Sequence, residues 1–253
     1  MVLECSNSGG DSSMRLIILD TETTGLPGTK STTSKTNSGM FKSQAFRDDQ
    51  INKVSFLCKG EVIQFSALVC NEDTLMPEEF ISFYCMPTEP ISDDAAFKVH
   101  GIKNEDIYKL SGGKYLEDYL FNPREKGGYS DIFNAKGNVY MSYGIDFDTK
   151  AINDTLAGYS MEVDFGKRIQ TFTDFKENKN YHLCLMKSFR SIMGLPYNVK
   201  LVESLRLMKF DSIDEAYKKI MKKFNKDANA GFHNADYDTV AAWTLFYQMR
   251  AHL

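Results

Sequence analysis

The pattern of hydrophobic and polar residues changes along the chain, from strand-like runs in the first third to helix-like periodicity in the last third. Four apolar residues precede Asp20, and the segments EVIQFSALVCN and EEFISFYCMP follow further along the chain. Apolar runs of this length predict strands, and the close spacing of the last two indicates an antiparallel meander. The segment NVYMSY, residues 138–143, predicts one more short strand.

Helix-like periodicity dominates after these strands. A helix is expected to open at Asp148, and the segment YHLCLMKSFRSIMG predicts another that ends before Gly194. Residues 199–209 continue the helical pattern. The segment SIDEAYKKIMKKF starts with the spacing of a capping box, and the final helix, residues 238–250, is apolar on nearly all sides and should be buried. Strands followed by helices indicate an α/β or α+β layered fold.

The segments between these elements carry weaker patterns. Short helices are predicted after Ser92 and from Asn104, because each position offers a capping side chain. Residues 111–137 and 159–180 follow no regular period. We therefore expect irregular structure in both.

Two polar segments set the domain organisation. Residues 1–13 predict a disordered tail or an expression remnant, and residues 14–253 are expected to form a single domain. Residues 28–58 are rich in Ser, Thr and Lys and predict a loop between the first two strands. A loop of this length is unusual in a compact domain, so we expect it to have a role.

Composition narrows the class of protein. The chain is 42% hydrophobic and has a formal net charge of −4, so a purely non-specific nucleic-acid binder is disfavoured, while a local basic face stays open. Five cysteines without a CxxC pair indicate reduced thiols. The apolar runs are too short to span a bilayer, and the N-terminus has no signal-peptide pattern. We expect a cytoplasmic protein with no membrane partner; a nuclear location stays open.

Two carboxylates end the first predicted strand. Asp20 and Glu22 are two residues apart, and side chains at this spacing project from the same face of a strand. Such a pair repels itself unless it is protonated or binds a cation. The alternative is an ordinary polar turn at a strand end.

Two further segments carry chemistry-bearing residues near predicted helix starts. The segment HNADYD contains His233 and Asp238, and the segment SYGIDFD contains Asp146 and Asp148. Taken alone, each aspartate is equally well explained as a helix cap, and the histidine as a surface residue.

Together these segments resemble one family. LDTETTGL, SYGIDFD and HNADYD are similar, in order and spacing, to the three motifs of the DEDDh 3′–5′ exonucleases. EVIQFSALV and DDAAFKVHGIKNEDI resemble the stretches between the first two motifs. The resemblance implies a ribonuclease H-like α/β fold, with a mixed five-stranded sheet flanked by helices. It also implies hydrolysis of phosphodiester bonds from a 3′ end, which releases nucleoside 5′-monophosphates.

The resemblance also assigns residues. It makes Asp20, Glu22, Asp148 and Asp238 the ligands of two divalent cations, Mg²⁺ or Mn²⁺, and His233 the general base. Thr23, through its backbone, and Leu26, as an apolar wedge, would contact the terminal nucleotide.

Some features depart from the family pattern or leave choices open. Tyr143 and Gly144 stand where members often have His-Asn. Single-stranded DNA is the expected substrate and RNA the second choice, since no motif reads the 2′-hydroxyl. A DNA polymerase is a candidate partner. The alternative function is an inactive scaffold that binds nucleic acid or a polymerase. His100 and His182 are expected to be structural.

Overall fold

The structure is a computed structural model, and it describes residues 15–25, 60–88, 90–91, 94–170, 179–210, 212–250 and 253. The predicted tail at residues 1–13, the predicted loop at residues 28–58 and Leu26 lie outside these residues.

Six strands form one mixed sheet in the described part of the chain. In chain order they are β1 (Arg15–Thr23), β2 (Val62–Cys70), β3 (Pro77–Tyr84), β4 (Asn138–Ser142), β5 (Lys167–Ile169) and β6 (Tyr181–Cys184). The order across the sheet is β3-β2-β1-β4-β6-β5. Strands β1, β2 and β3 pair antiparallel, so the predicted meander is confirmed. Strands β4, β6 and β5 continue from β1 in parallel.

The sheet has one strand more than predicted, and the difference lies at its parallel edge. β5 falls within residues 159–180, which were predicted to be irregular, and it is only three residues long. β6 is the start of a segment that was predicted to be entirely helical. Tyr181 and Leu183 are buried in the core on the α9 face, and four residues are too few to show a strand period.

The helices cover both faces of the sheet. In chain order they are α1 (Asp94–His100), α2 (Asn104–Ser111), α3 (Leu116–Leu120), α4 (Ser130–Phe133), α5 (Ile145–Ala157), α6 (Leu185–Ile192), α7 (Leu201–Leu207), α8 (Ile213–Lys223) and α9 (Ala235–Met249). A short 3₁₀ turn, Arg124–Lys126, precedes α4.

Two predicted helix starts were wrong in detail. α5 begins at Ile145, so Asp148 lies inside its first turn and does not open the helix. α9 begins three residues earlier than predicted because the Asn234 side chain caps it, accepting a hydrogen bond from the backbone N–H of Asp236. The predicted capping box of α8 is also absent, since the Ser212 side chain makes no capping hydrogen bond.

The central strand β1 contributes to a separate core on each face of the sheet. Ile17 and Leu19 pack with residues of α5, whereas Leu16 and Ile18 pack with residues of α9. All four side chains are buried, and burial of such a side chain contributes about 1.5–3 kcal/mol. The alternation along β1 directs the next even-numbered residues, which are polar, toward the α9 face.

No helix in the described part of the chain has both the length and the apolar character needed to cross a membrane.

Candidate active site

The candidate site lies where β1 ends beneath the start of α9. Asp20 and Glu22 continue the row of Leu16 and Ile18, so both carboxylates project from the α9 face. Asp238 is in the first turn of α9, which packs on that face. One carboxylate oxygen from each of Asp20, Glu22 and Asp238 lies within 4.8 Å of the other two. Residues far apart in sequence therefore form one carboxylate group.

Asp148 lies beside this group and is held from the other face of the sheet. Its Oδ1 accepts hydrogen bonds from the backbone N–H of Thr21, at 3.1 Å, and from the Thr21 hydroxyl, at 2.8 Å. Its Oδ2 accepts a hydrogen bond from the Ser142 hydroxyl. Only 3% of Asp148 is exposed. It is therefore fixed in orientation by β1 and β4.

Burial is the largest cause that raises the pKa of all four carboxylates, and the charges of neighbouring carboxylates add to it at Asp20, Glu22 and Asp238. It acts with the neighbouring charges to raise the pKa of Glu22 to about 8 and that of Asp238 to about 7. The pKa of Asp20 is also raised by burial, and next by the charges of Asp148 and Asp238. The pKa of Asp148 rises to about 6, because the Ser142 and Thr21 hydrogen bonds offset part of the burial.

Within the described residues, the four carboxylates have no lysine or arginine partner. None of the ion pairs formed by the described residues includes them. Asp238 Oδ1 is buried and has no hydrogen-bond partner among the described residues. A group of buried and half-buried carboxylate oxygens with an unpartnered acceptor suits a hard divalent cation such as Mg²⁺ or Mn²⁺. The donor set therefore fits the predicted metals.

His233 is tied to this group through its backbone. Its N–H donates to Asp238 Oδ2 at 3.1 Å, and its φ of 67° lies in the left-handed region. Histidine is among the residues enriched in that region. The residue is exposed at the surface beside the carboxylates. The hydrogen bond therefore holds the backbone of His233 at the site, while its imidazole is exposed and not packed against other side chains.

The structure resembles known exonucleases in its overall path. One is a 3′-exonuclease studied for 3′-end-specific recognition of a histone mRNA stem-loop (TM-score 0.52, 13% identity, 95% of this chain and 84% of that chain). Another is E. coli Exonuclease I in complex with a dA16 oligonucleotide (TM-score 0.56, 12% identity, 94% and 41%). A third is a full-length 3′-exonuclease (TM-score 0.52, 14% identity, 95% and 62%).

The chain has the fold of these 3′-exonucleases. At these identities the likeness shows the fold alone, and the chain spans only about two fifths of Exonuclease I. No protein-family model matches the chain, and a comparison with curated proteins finds no match. The predicted ribonuclease H-like architecture is confirmed, with six strands in place of five.

The remaining predicted residues occupy different surroundings within this fold. Thr23 is buried, and its hydroxyl donates to the backbone carbonyl of Gly25 at 2.6 Å. His100 Nδ1 accepts a hydrogen bond from the backbone N–H of Ile102 at 3.0 Å, and burial lowers its pKa. This bonded environment suits the structural role expected for His100. Leu26 lies outside the described residues.

Asp146 and Asp236, the near neighbours of two candidate ligands, point elsewhere. Asp146 is exposed and pairs with Lys187, at 2.8 Å, and Arg168, at 3.2 Å. Asp236 is outside the group of converging carboxylates, and the hydroxyls of nearby serines on β2 and β3 partly offset the rise of its pKa on burial. Tyr143, at the departure from the family pattern, joins β4 to α7 through its hydroxyl, which lies 2.8 Å from Ser204 Oγ.

Sequence reasoning missed the side chains that hold the carboxylates. Thr21 and Ser142 bind Asp148, and Gln64 on β2 lies across the strand pair from Glu22. Thr21 carried a weak signal, because a polar residue between Asp20 and Glu22 must face the opposite side of the strand. The register that brings Gln64 to the site is long-range and leaves no local pattern, whereas Ser142 lies only six residues before Asp148.

Proposed function

We propose that the chain is a metal-dependent 3′–5′ exonuclease that hydrolyses phosphodiester bonds from the 3′ end of single-stranded DNA and releases nucleoside 5′-monophosphates. One observation carries the proposal: the oxygens of Asp20, Glu22 and Asp238 converge within 4.8 Å in a chain with an exonuclease fold. Converging buried carboxylates are costly to ionise, so they are expected where a cation compensates them.

Asp20, Glu22, Asp148 and Asp238 would hold two Mg²⁺ or Mn²⁺ ions. When bound, such a pair polarises the phosphodiester and stabilises charge on the attacking and leaving oxygens. The hydrogen bonds from Thr21 and Ser142 would keep Asp148 oriented while it is ionised.

His233 would act as the general base that accepts a proton from the attacking water. An imidazole can both accept and donate a proton, which suits a general base. The backbone bond to Asp238 keeps His233 within the site, and its exposed position leaves the imidazole free to turn toward a bound strand. Apo structures often show catalytic groups before they reach their working geometry.

Thr23 would contact the terminal nucleotide through its backbone, since its hydroxyl is already engaged with Gly25. Leu26, three residues after Thr23, would contact the terminal nucleotide as an apolar wedge. Because the Thr23 side chain is buried, Thr23→Val should alter strand binding less than a change at Leu26.

The polarity and the sugar preference can be tested together. DNA and RNA single strands of one sequence, labelled at either the 5′ or the 3′ end, are incubated with Mg²⁺ or with EDTA. We expect the 3′ label to appear at once as a mononucleotide and the 5′-labelled strand to shorten stepwise, in Mg²⁺ only and faster on DNA. Asp148→Asn is the inactive control, with Asp146→Asn as its matched active control.

Other outcomes would change the proposal. Early release of the 5′ label, internal cuts, or undiminished activity in excess EDTA would contradict it. Faster degradation of RNA would change the proposed substrate from DNA to RNA, while the proposed 3′–5′ hydrolysis would stand. A protein that binds the strands but does not cleave them in Mg²⁺ would favour the scaffold alternative.

A further inference from the structure

Gln64 is a buried polar residue beside the candidate ligands. It lies on β2 directly across the antiparallel pair from Glu22, and only 1% of it is exposed. Directly opposed residues in an antiparallel pair project from the same face, with their Cβ atoms about 4.5–5.5 Å apart. Gln64 and Glu22 therefore stand side by side beneath the start of α9.

One end of the Gln64 amide is fixed by α9. Its Oε1 accepts a hydrogen bond from the backbone N–H of Ala235 at 3.3 Å. Ala235 is the first residue of α9, and an N–H group at that position has no partner within the helix. Because an N–H group can donate only to the amide oxygen, this contact decides which end of the amide is the oxygen and which the nitrogen.

The other end of the amide is left without a partner. Gln64 Nε2 is buried and forms no hydrogen bond with any described residue. An unsatisfied buried donor costs about 1–3 kcal/mol, so a position that keeps one calls for an explanation. The side chain paired with Gln64 across the strands is the carboxylate of Glu22, which becomes a strong acceptor when it is ionised.

We propose that Gln64 is a positioning residue for the metal site: its Nε2 donates to the Glu22 carboxylate when that carboxylate holds a cation, while its Oε1 stays bonded to α9. A single amide would then hold Glu22 of β1 in register with the helix that carries Asp238. The inference rests on the proposed metal binding, and it predicts how tightly the site holds its cations.

Gln64→Met tests this role, because methionine has nearly the same shape but neither donor nor acceptor. The midpoint for Mn²⁺ is measured from the rise in melting temperature of the metal-free protein, so the reading does not depend on cleavage. We expect the midpoint to move to a concentration about 10- to 100-fold higher, the usual effect of losing a group that orients a metal ligand. Trp243→Phe is the control for loss of a hydrogen bond that tethers α9, since the Trp243 indole N–H donates to the backbone carbonyl of Leu75 at 3.0 Å; it should leave the midpoint unchanged.

The route of the effect is tested in a Glu22→Gln background. If Gln64 acts through Glu22, Gln64→Met adds no further shift of the Mn²⁺ midpoint there, so the two effects are not additive. If Gln64 only tethers α9, Gln64→Met lowers the metal-free melting temperature equally in both backgrounds and leaves the midpoint unchanged. That second result would overturn the inference.

A structure of the parental protein with Mn²⁺ gives a reading that needs no variant to fold. Gln64 Nε2 should lie about 2.7–3.2 Å from a Glu22 oxygen, the range of a hydrogen bond. A longer separation with metal bound would overturn the inference while leaving the proposed nuclease intact. A parental protein that binds no Mn²⁺ would instead overturn the proposed function, so the two failures are distinguishable.

Discussion

Asp146 and Asp148 lie two residues apart in the first turn of α5, yet they occupy opposite environments. Asp146 is exposed beside Lys187 and Arg168, and the hydrogen bond from Lys187 is the largest cause that lowers its pKa. Asp148 is buried among other carboxylates, and burial raises its pKa to about 6. On a helix these positions face different directions, so one aspartate points to basic side chains and the other to the site.

The difference shows that local sequence spacing does not decide what an acidic residue does. Both aspartates follow a strand and either one fits a helix cap, so the sequence pattern around α5 leaves them equivalent. The partners decide: an aspartate with cationic neighbours is already neutralised, whereas buried carboxylates without them are left for a metal ion.

The largest expected effect is a difference in hydrolysis rate between substitutions of Asp148 and Asp146. Asp148→Asn should reduce the rate of 3′-end hydrolysis by roughly 10⁴-fold, because a metal ion contributes several kcal/mol to transition-state stabilisation. Asp146→Asn should retain most of the rate. Initial rates on a 5′-labelled strand check both, and circular dichroism confirms folding. An active Asp148→Asn with an inactive Asp146→Asn would reverse the assignment.

His233→Ala should lower the turnover by roughly 10²- to 10⁴-fold, the usual contribution of a general base, while the Mn²⁺ midpoint stays unchanged. Single-turnover rates across pH provide the measurement: the parental rate should rise and then level off, and the variant should lose that rise. His182→Gln, on β6, is the histidine control. Parental turnover with the same pH profile in His233→Ala would assign the proton to another group.

The stability of the metal-free protein should fall with rising pH. Glu22 and Asp238 keep their protons in the folded protein up to pKa values of about 8 and 7, above the ordinary values of 4.5 and 3.8. The folded state therefore binds more protons than the unfolded state between those limits, so the free energy of unfolding decreases as pH rises. In EDTA we expect the melting temperature to drop by roughly 5–10 °C from about pH 5 to pH 8.

Saturating Mg²⁺ should largely remove this decrease, because a cation stabilises the ionised carboxylates and binds only the folded state. Asp146 does not change stability over this pH range, because its lowered pKa gives a stabilisation that is complete above its ordinary titration range and is lost only at lower pH. A melting temperature in EDTA that rises steadily over the same range would show that the carboxylates are not mutually destabilised.

The smallest effect is expected at the cationic partner of Asp146. Lys187→Met removes one partly exposed ion pair and should cost about 0–1 kcal/mol of unfolding free energy, less at high salt. Urea unfolding at low and high ionic strength measures it. A loss of unfolding free energy several times larger would mean that the Asp146–Lys187 ion pair is important for stability. Asp146 and Asp148 would then differ in their contribution to stability as well as to activity.

The strands of the meander and the residues of the three motifs could be predicted from the sequence, because both have strong local signals. The continuous apolar run of β1 and the two carboxylates at its end, Asp20 and Glu22, can be seen without a fold. The resemblance then supplied the architecture, which the structure confirms except for the number of strands.

What the sequence could not supply depends on long-range pairing. β6 is a strand only because β4 and β5 lie on either side of it. Gln64 meets Glu22 through the register of β1 and β2, and Thr21 of β1 meets Asp148 of α5. A single sequence shows none of these contacts, since each joins residues whose local patterns are unremarkable.

The central claim is that Asp20, Glu22, Asp148 and Asp238 together bind two divalent ions. Counting bound Mn²⁺ by electron paramagnetic resonance tests this claim most directly. We predict two ions per chain for the parental protein and for Asp146→Asn, because Asp146 is already paired with Lys187 and Arg168. A protein carrying Asp20→Asn and Asp238→Asn should bind neither ion tightly. Two tightly bound ions in that double variant, or none in the parental protein, would contradict the account.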